Sequence, residues 1–246
     1  MSASPITAIL FDLDGTLVPM DQNEFIDAYF GALVRKVTPL GFEKEPFLAS
    51  MWKGTGAMIK NDGSRLNSDA FWSTFSAIWG EQIAILEPCL NEFYSKDFDA
   101  AARVVVKHPI PPVRALIDAL RRRGLTLCLA TNPLFPRDAV ATRLSWAGLS
   151  PADFVHVTTY ENSSYCKPSP GYYEETLAAI GKAPEECIMI GNNPVDDMSA
   201  LSLGLSGFLL TDCLENETGV DISPYPNGDF AALIRFLEDK LGGKVL

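Results

Sequence analysis

The chain has 246 residues, 47% of them hydrophobic and 21% charged, which is enough apolar material for a full core and unlike a disordered segment. Its formal net charge of -11 excludes a broad nucleic-acid or anionic-membrane surface, because binding phosphate backbones requires clustered lysine and arginine. An anionic substrate would need local positive charge, from a lysine or a metal ion.

Cys89, Cys128, Cys166, Cys187 and Cys213 are odd in number, scattered and without CxxC spacing. That pattern predicts reduced thiols in a cytoplasmic protein rather than a disulfide frame or a zinc site. No apolar stretch approaches the ~18 residues of a membrane helix. Residues 1–11 lack the basic start and cleavage pattern of a signal peptide, so none is expected.

In chain order, Ile6 to Phe11 is nearly all apolar and reads as a buried strand that stops at Asp12-Leu13-Asp14-Gly15-Thr16. The stretch 19–104 carries helical periodicity without convincing strands. Ile26, Tyr29, Phe30, Leu33, Val34 and Val37 make one stripe, Phe71, Trp72, Phe75, Ile78 and Trp79 a second, and Leu86, Leu90, Phe93 and Tyr94 a third. A helical module is therefore expected between the first strand and the rest. Within it, Trp52-Lys53-Gly54-Thr55-Gly56 and Lys60 read either as a loop that closes over a site or as helix ends and a surface turn.

Further along, a helix is predicted over 112–123 and a strand over Leu125 to Ala130, ending at Thr131-Asn132. Helix 136–147 and a strand over Phe154 to Thr159 come next, and then Lys167-Pro168 precedes helix 171–181, with Ser169 and Pro170 as cap and first helical residue. Ile188 to Ile190 is a strand running into Gly191-Asn192-Asn193 and on to Asp196-Asp197. Helix 195–203, a strand over Gly207 to Leu210 and a helix over 229–241 complete the chain. Alternating β and α segments imply right-handed crossovers and a parallel, doubly wound α/β sheet. Ligands of such sheets bind at the carboxyl edge, where these segments bring carboxylates, a hydroxyl, a lysine and amides together.

An Asp ending a strand, with a second Asp two residues on and then Gly-Thr, suits covalent phosphoryl transfer. Asp12 would be the ionised nucleophile, and Asp14 would protonate the leaving oxygen and later take a proton from water. Taken alone, the segment also reads as an Asp-Gly turn, Thr131-Asn132-Pro133 as a turn before a helix, and Lys167 as a solvated loop charge.

Together these segments resemble the haloacid dehalogenase superfamily of phosphohydrolases, in the capped branch of the phosphoglycolate phosphatase and β-phosphoglucomutase kind. The family's first motif, DxDGT, is met in full by Asp12 to Thr16. Its second, a Ser or Thr closing a strand, is met by Thr131 with Asn132 beside it, and its third, a lysine, by Lys167. The fourth departs: where the family has Gly-Asp and a further Asp five residues later, this chain has Gly191-Asn192 and then Asp197. The resemblance implies a Rossmann-like core made of residues 1–18 and 105–246 with an α-helical cap at 19–104. It also implies Mg²⁺ held by Asp12, the Asp14 main-chain carbonyl, Asn192 and Asp197, with Thr131 and Asn132 binding substrate phosphate. Asp196 reads as a first-turn helix acid behind an Asn193 cap. Branches that cleave phosphonates or carbon–halogen bonds lack the second acid of the first motif, so Asp14 tells against both.

His108 and His156 read as packing or solvent-facing residues, Arg121 to Arg123 as a solvated helix end, and Cys166 as a structural thiol although it adjoins Lys167. The expected activity is Mg²⁺-dependent hydrolysis of a small phosphorylated metabolite through an aspartyl-phosphate on Asp12. The rivals are a sugar phosphomutase and a catalytically weak binding or regulatory protein on the same fold. No nucleic-acid or membrane partner is expected, and the oligomeric state stays open.

Overall fold

The computed structural model describes residues 5–246; the first four residues, which begin the stretches 1–11 and 1–18 above, lie outside the described residues. Six parallel strands are present: β1 (Ala8–Phe11), β2 (Thr126–Leu129), β3 (His156–Val157), β4 (Cys187–Gly191), β5 (Ser206–Leu210) and β6 (Asn227–Gly228). Their spatial order is β3-β2-β1-β4-β5-β6, so the chain winds outward from β1 first to one side and then to the other. The reversal of direction at β1 opens a crevice beyond its carboxyl end.

Strand composition explains the layering. Ala8, Ile9, Leu10 and Phe11 are all fully buried, as expected for a strand covered on both faces. Ile9, Phe11, Leu127, Leu129, Ile188 and Ile190 point into one apolar layer, and Ala8, Leu10, Cys128, Cys187 and Met189 into the other. The second layer is closed by Tyr172, Tyr173 and Leu177 of α8 (Pro170–Ile180). Helices α6 (Val113–Arg122), α7 (Arg137–Trp146) and α9 (Phe230–Leu241) send Leu116, Leu144 and Leu237 into the first.

Five helices lie between β1 and α6: α1 (Gln22–Val37), α2 (Lys44–Ile59), α3 (Asn67–Trp79), α4 (Ile83–Glu92) and α5 (Phe98–Ala102). Asp21 starts α1 by accepting hydrogen bonds from the amides of Asn23 and Glu24 at 2.9 and 3.0 Å, the usual satisfaction of free amides at a helix start. The three apolar stripes lie on α1, on α3 and across the α4 end, which continues through a π-helical turn at Phe93–Asp97.

Three expectations are corrected. The segment Trp52 to Gly56 is not a loop but lies inside α2, and Lys53 and Lys60 are exposed. Its Gly54 is there for packing, since a Cβ at that position would come within 2.6 Å of the Phe71 ring on α3. The segment predicted as helix 195–203 is a 3-10 helix over Met198–Leu203, preceded by an Asn193 turn whose Oδ1 accepts from the Val195 and Asp196 amides. The strand expected over Phe154 to Thr159 shrinks to β3: the Val155 and Thr158 amides still donate to the Leu127 and Leu129 carbonyls of β2, but Thr158 Oγ1 donates to the Thr131 carbonyl at 2.6 Å and the Thr159 amide turns away to Asn162. No helix among the described residues is long and apolar enough to cross a membrane.

Candidate active site

Strand register sets the site. Phe11 pairs with Leu129 on one side and Ile190 on the other, so Asp12, Ala130 and Gly191 form the next rung. The Asp12 amide donates to the Ile190 carbonyl at 2.9 Å, and the Ala130 amide to the Phe11 carbonyl at 2.7 Å. One residue further, Thr131 and Asn192 leave the sheet on opposite sides of β1. Lys167 reaches the same edge from the loop before α8.

The lysine is the electrostatic centre. Its ammonium donates to Asp12 Oδ1 at 2.9 Å and to Asp197 Oδ1 at 2.6 Å, with its side chain only 1% exposed. Burial disfavours the ammonium, but Asp12 and Asp197 outweigh it and hold Lys167 well above the ordinary lysine range. Burial likewise pushes the Asp12 carboxyl up to about 7, with Lys167 opposing the shift and Asp197 and Asp14 adding to it. Asp197 is fixed at its other oxygen too, where Oδ2 accepts from the Asn193 amide at 2.9 Å. Gly191 makes this possible, because a Cβ there would overlap the Asp197 carboxylate.

Asp14 is held differently. Its Oδ2 pairs with the guanidinium of Arg143 on α7, a residue 1% exposed, while Asp14 Oδ1 and Arg143 Nη2 are buried without a hydrogen-bond partner among the described residues. The guanidinium carbon lies 4.5 Å from the Phe135 ring centre and 5.5 Å from that of Phe25, a stacking geometry that suits the planar, weakly hydrated guanidinium. Burial raises the Asp14 carboxyl, against Arg143 and Lys167, which lower it.

The amides complete the wall. Asn132 accepts at Oδ1 from the Lys167 amide at 3.3 Å and donates from Nδ2 to Asp196 Oδ2 at 3.2 Å. Asn192 accepts at Oδ1 from the Thr16 hydroxyl at 3.2 Å and donates from Nδ2 to the Cys213 carbonyl at 2.7 Å. Asp12, Asp14, Thr131, Asn132, Lys167, Asn192 and Asp197 all line one cavity of about 90 Å³. These seven candidate residues are thus brought together, whereas Lys53 and Lys60 do not line the cavity.

A family model described as haloacid dehalogenase-like hydrolase matches residues 6–204. The chain belongs to that family. It is 29% identical over 204 residues to the pyrophosphatase PpaX of Bacillus velezensis, an alignment covering 83% of this chain and 82% of the relative. Its fold is similar to that of a 2-haloacid dehalogenase from Pseudomonas syringae, with a TM-score of 0.60 at 19% identity, covering 94% of this chain and 99% of the other. It is also similar to that of a β-phosphoglucomutase from Clostridium difficile, with a TM-score of 0.57 at 15% identity, covering 96% and 97%.

Within this hydrolase family member, several site residues escaped the sequence reading. Arg143 reads as a surface charge in a helical pattern, and its partner lies 129 positions away. Gln22 and Glu215 line the same cavity, Glu215 from a segment without any motif. Asp196, read as a helix acid, in fact faces the cavity through Asn132, and burial raises its carboxyl. Cys166 is a buried thiol bonded by Asn67 Nδ2, and burial pushes it up to about 12 despite the adjoining lysine.

Among the described residues no three His, Cys, Asp or Glu side chains converge as a metal cluster; the ligand set expected from the sequence has the Asn192 amide in place of one carboxylate. The donors present are all hard oxygens: Asp12 Oδ2, the Asp14 carbonyl and Asn192 Oδ1. That set fits Mg²⁺, which commonly uses one or two carboxylates and completes its shell with water and substrate phosphate.

Proposed function

We propose that this hydrolase cleaves small phosphate monoesters, with Asp12 as nucleophile. The observation that carries the reading is the asymmetry of Asp12, a cavity-lining residue whose Oδ1 is tied to Lys167 at 2.9 Å while Oδ2 makes no hydrogen bond among the described residues. Oδ2 attacks phosphorus as the ester P–O bond breaks, and Asp14 delivers a proton to the departing alkoxide oxygen. A water then attacks the phosphoryl group on Asp12, gives its proton to Asp14 and releases inorganic phosphate.

The anchoring of Asp14 supports this division of labour. Arg143 holds Oδ2 while Oδ1, buried and without a hydrogen-bond partner, keeps its acid capacity unspent, so a turn of the Asp14 carboxyl at the cavity wall would bring it to the leaving oxygen. Lys167 offsets negative charge on Asp12 and the phosphoryl group, while the Thr131 hydroxyl and Asn132 orient the phosphoryl oxygens. Asp12, the Asp14 carbonyl, Asn192 and Asp197 would hold Mg²⁺, whose chemistry is to neutralise phosphoryl charge as a Lewis acid. For Asp197 this requires sharing an oxygen already bonded to Lys167 or to the Asn193 amide. Residues 19–104 act as the cap that admits the organic group, and 1–18 with 105–246 as the catalytic core. Five free thiols support a cytoplasmic setting.

A catalytically weak protein on this fold is the second reading, favoured by Asn192, whose amide is already engaged by Thr16 and Cys213. One screen tests both readings. Phosphate release is measured with Mg²⁺ over alkyl, aryl and sugar phosphates, acetyl phosphate and pyrophosphate, with Asp12→Asn as control. Release that vanishes in the variant supports the proposal; no release from any substrate favours the weak protein. Isomerisation of a sugar phosphate with little release would make it a mutase.

A further inference from the structure

A second cavity, also of about 90 Å³, lies against the first between α1, α2, α3 and the loop after β2. Gln22, Leu134 and Phe135 line both. Leu134 and Phe135 follow directly on Thr131-Asn132-Pro133, so the segment that meets the phosphoryl group continues as the wall of the second space. An ester bound with its phosphorus at Asp12 therefore has this cavity open to its organic part.

The lining is aromatic and aliphatic throughout, with Tyr29, Phe30, Trp52, Phe71, Trp72 and Tyr160 prominent, and it contains no charged residue. Most of its few polar atoms are spent on one another. The Tyr29 and Tyr94 hydroxyls lie 2.5 Å apart in a hydrogen bond, and the Tyr160 hydroxyl accepts from the Trp72 indole at 3.4 Å. The Gln22 amide, the Thr55 hydroxyl and the Trp52 indole N–H are the other polar side-chain groups in the lining. Lys167 is the one cationic side chain lining either cavity among the described residues, and it is already bonded to two carboxylates.

Such a space discriminates by desolvation. A second phosphate, a carboxylate or a sugar's hydroxyls would lose hydration here and find only the neutral groups of Gln22, Thr55 and Trp52 in return, a net cost. A compact apolar group gains from leaving water and from the aromatic walls. We propose that the substrate is the phosphate monoester of a compact apolar alcohol, aryl-bearing or branched-alkyl, and that this cavity selects it. The inference rests on the phosphohydrolase reading above and sets this chain apart from a pyrophosphatase. The reaction is hydrolysis of R–O–PO₃²⁻ by water to the free alcohol and inorganic phosphate.

The test compares benzyl phosphate with glycerol 3-phosphate, both esters of primary alcohols, and with pyrophosphate and acetyl phosphate. Benzyl phosphate should exceed glycerol 3-phosphate and pyrophosphate in kcat/KM by about tenfold or more, the scale expected from burying one ring. Thr55→Phe, which fills the cavity from α2, should lower the ratio of benzyl to acetyl phosphate turnover at least about fivefold, whereas Thr55→Ser should keep that ratio. A preference for pyrophosphate, equal rates for benzyl and glycerol esters, or a ratio unmoved by Thr55→Phe overturns the proposal. Binding is read separately by indole fluorescence, since Trp52 and Trp72 line the cavity. Benzylphosphonate should bind about tenfold tighter than methylphosphonate, and equal affinities overturn the proposal even if no ester is hydrolysed. Absence of all turnover, acetyl phosphate included, with the phosphonate preference intact would instead refute the phosphohydrolase reading alone.

Discussion

Replacing Arg143 by Met would remove a guanidinium that is 1% exposed and leave the Asp14 carboxyl, 14% exposed, without its partner. Breaking a buried pair from one side costs roughly 3–5 kcal/mol, because the surviving charge keeps its desolvation penalty. Lost stacking on Phe135 and Phe25 falls within that range, since Met retains much of the apolar contact. The orphaned carboxyl can escape by taking up a proton, so the cost depends on pH. Burial already raises Asp14, and Arg143 is the main force holding it down; without Arg143 it rises further. A carboxyl raised in the folded state contributes stability that is complete below its unfolded value and is lost as pH climbs through the folded value. Urea unfolding should therefore show the variant less stable by about 3 kcal/mol at about pH 8, with the deficit shrinking towards about pH 5. In kinetics, the alkaline limb of kcat/KM should move to higher pH, because Asp14 stays protonated longer. A deficit under about 1 kcal/mol, or one that does not change with pH, would show that the pair does not hold Asp14.

The remaining predictions concern metal, backbone and pH. Asn192→Asp adds an anionic oxygen near the Asp12 carboxylate; after repulsion and desolvation, about a tenfold lower Mg²⁺ requirement for half-maximal rate is expected. A midpoint unmoved or raised in a Mg²⁺ titration removes Asn192 from the metal shell. Gly191→Ala puts a methyl against the Asp197 carboxylate and should cost about 1–3 kcal/mol of stability, with activity falling more steeply than the thermal midpoint as Asp197 leaves Lys167. Normal activity in a folded Gly191→Ala protein would make that contact dispensable. Burial lowers the His156 imidazolium, only partly countered by Glu175, so its contribution to stability is present above the ordinary histidine range and lost as pH falls below it. His156→Gln should flatten the stability profile on that acidic side, and identical wild-type and variant slopes there would contradict the assignment.

How much of this was legible in the sequence depends on the range of the interaction. The central strands read easily, because a parallel strand buried on both faces must be continuously apolar, as Ile188 to Ile190 is. Asp12, Thr131 and Asn192 read easily for a related reason: each directly follows such a run. β6, only Asn227–Gly228, has no apolar run to betray it. The glycines of α2 suggested a loop, yet Gly54 marks the close approach of two helices, which depends on Phe71 in another element. Arg143 was invisible for the same reason, since a lone arginine in a helical stripe is unremarkable until the fold sets it against Asp14. The aromatic cavity was partly legible, as Tyr29, Phe71 and Trp72 lay in the apolar stripes. Their convergence on Phe135 was not, because it links elements more than sixty positions apart in sequence.

The central claim is that phosphoryl groups pass through Asp12, and rapid acid quench during turnover tests it most directly. Enzyme quenched with acetyl or benzyl phosphate should carry a phosphoryl group on the peptide containing Asp12 by mass spectrometry, discharged within further turnover when substrate is exhausted. Asp12→Asn should carry none and release no phosphate. A phosphoryl group found on another residue, or phosphate release persisting in Asp12→Asn, would contradict the account.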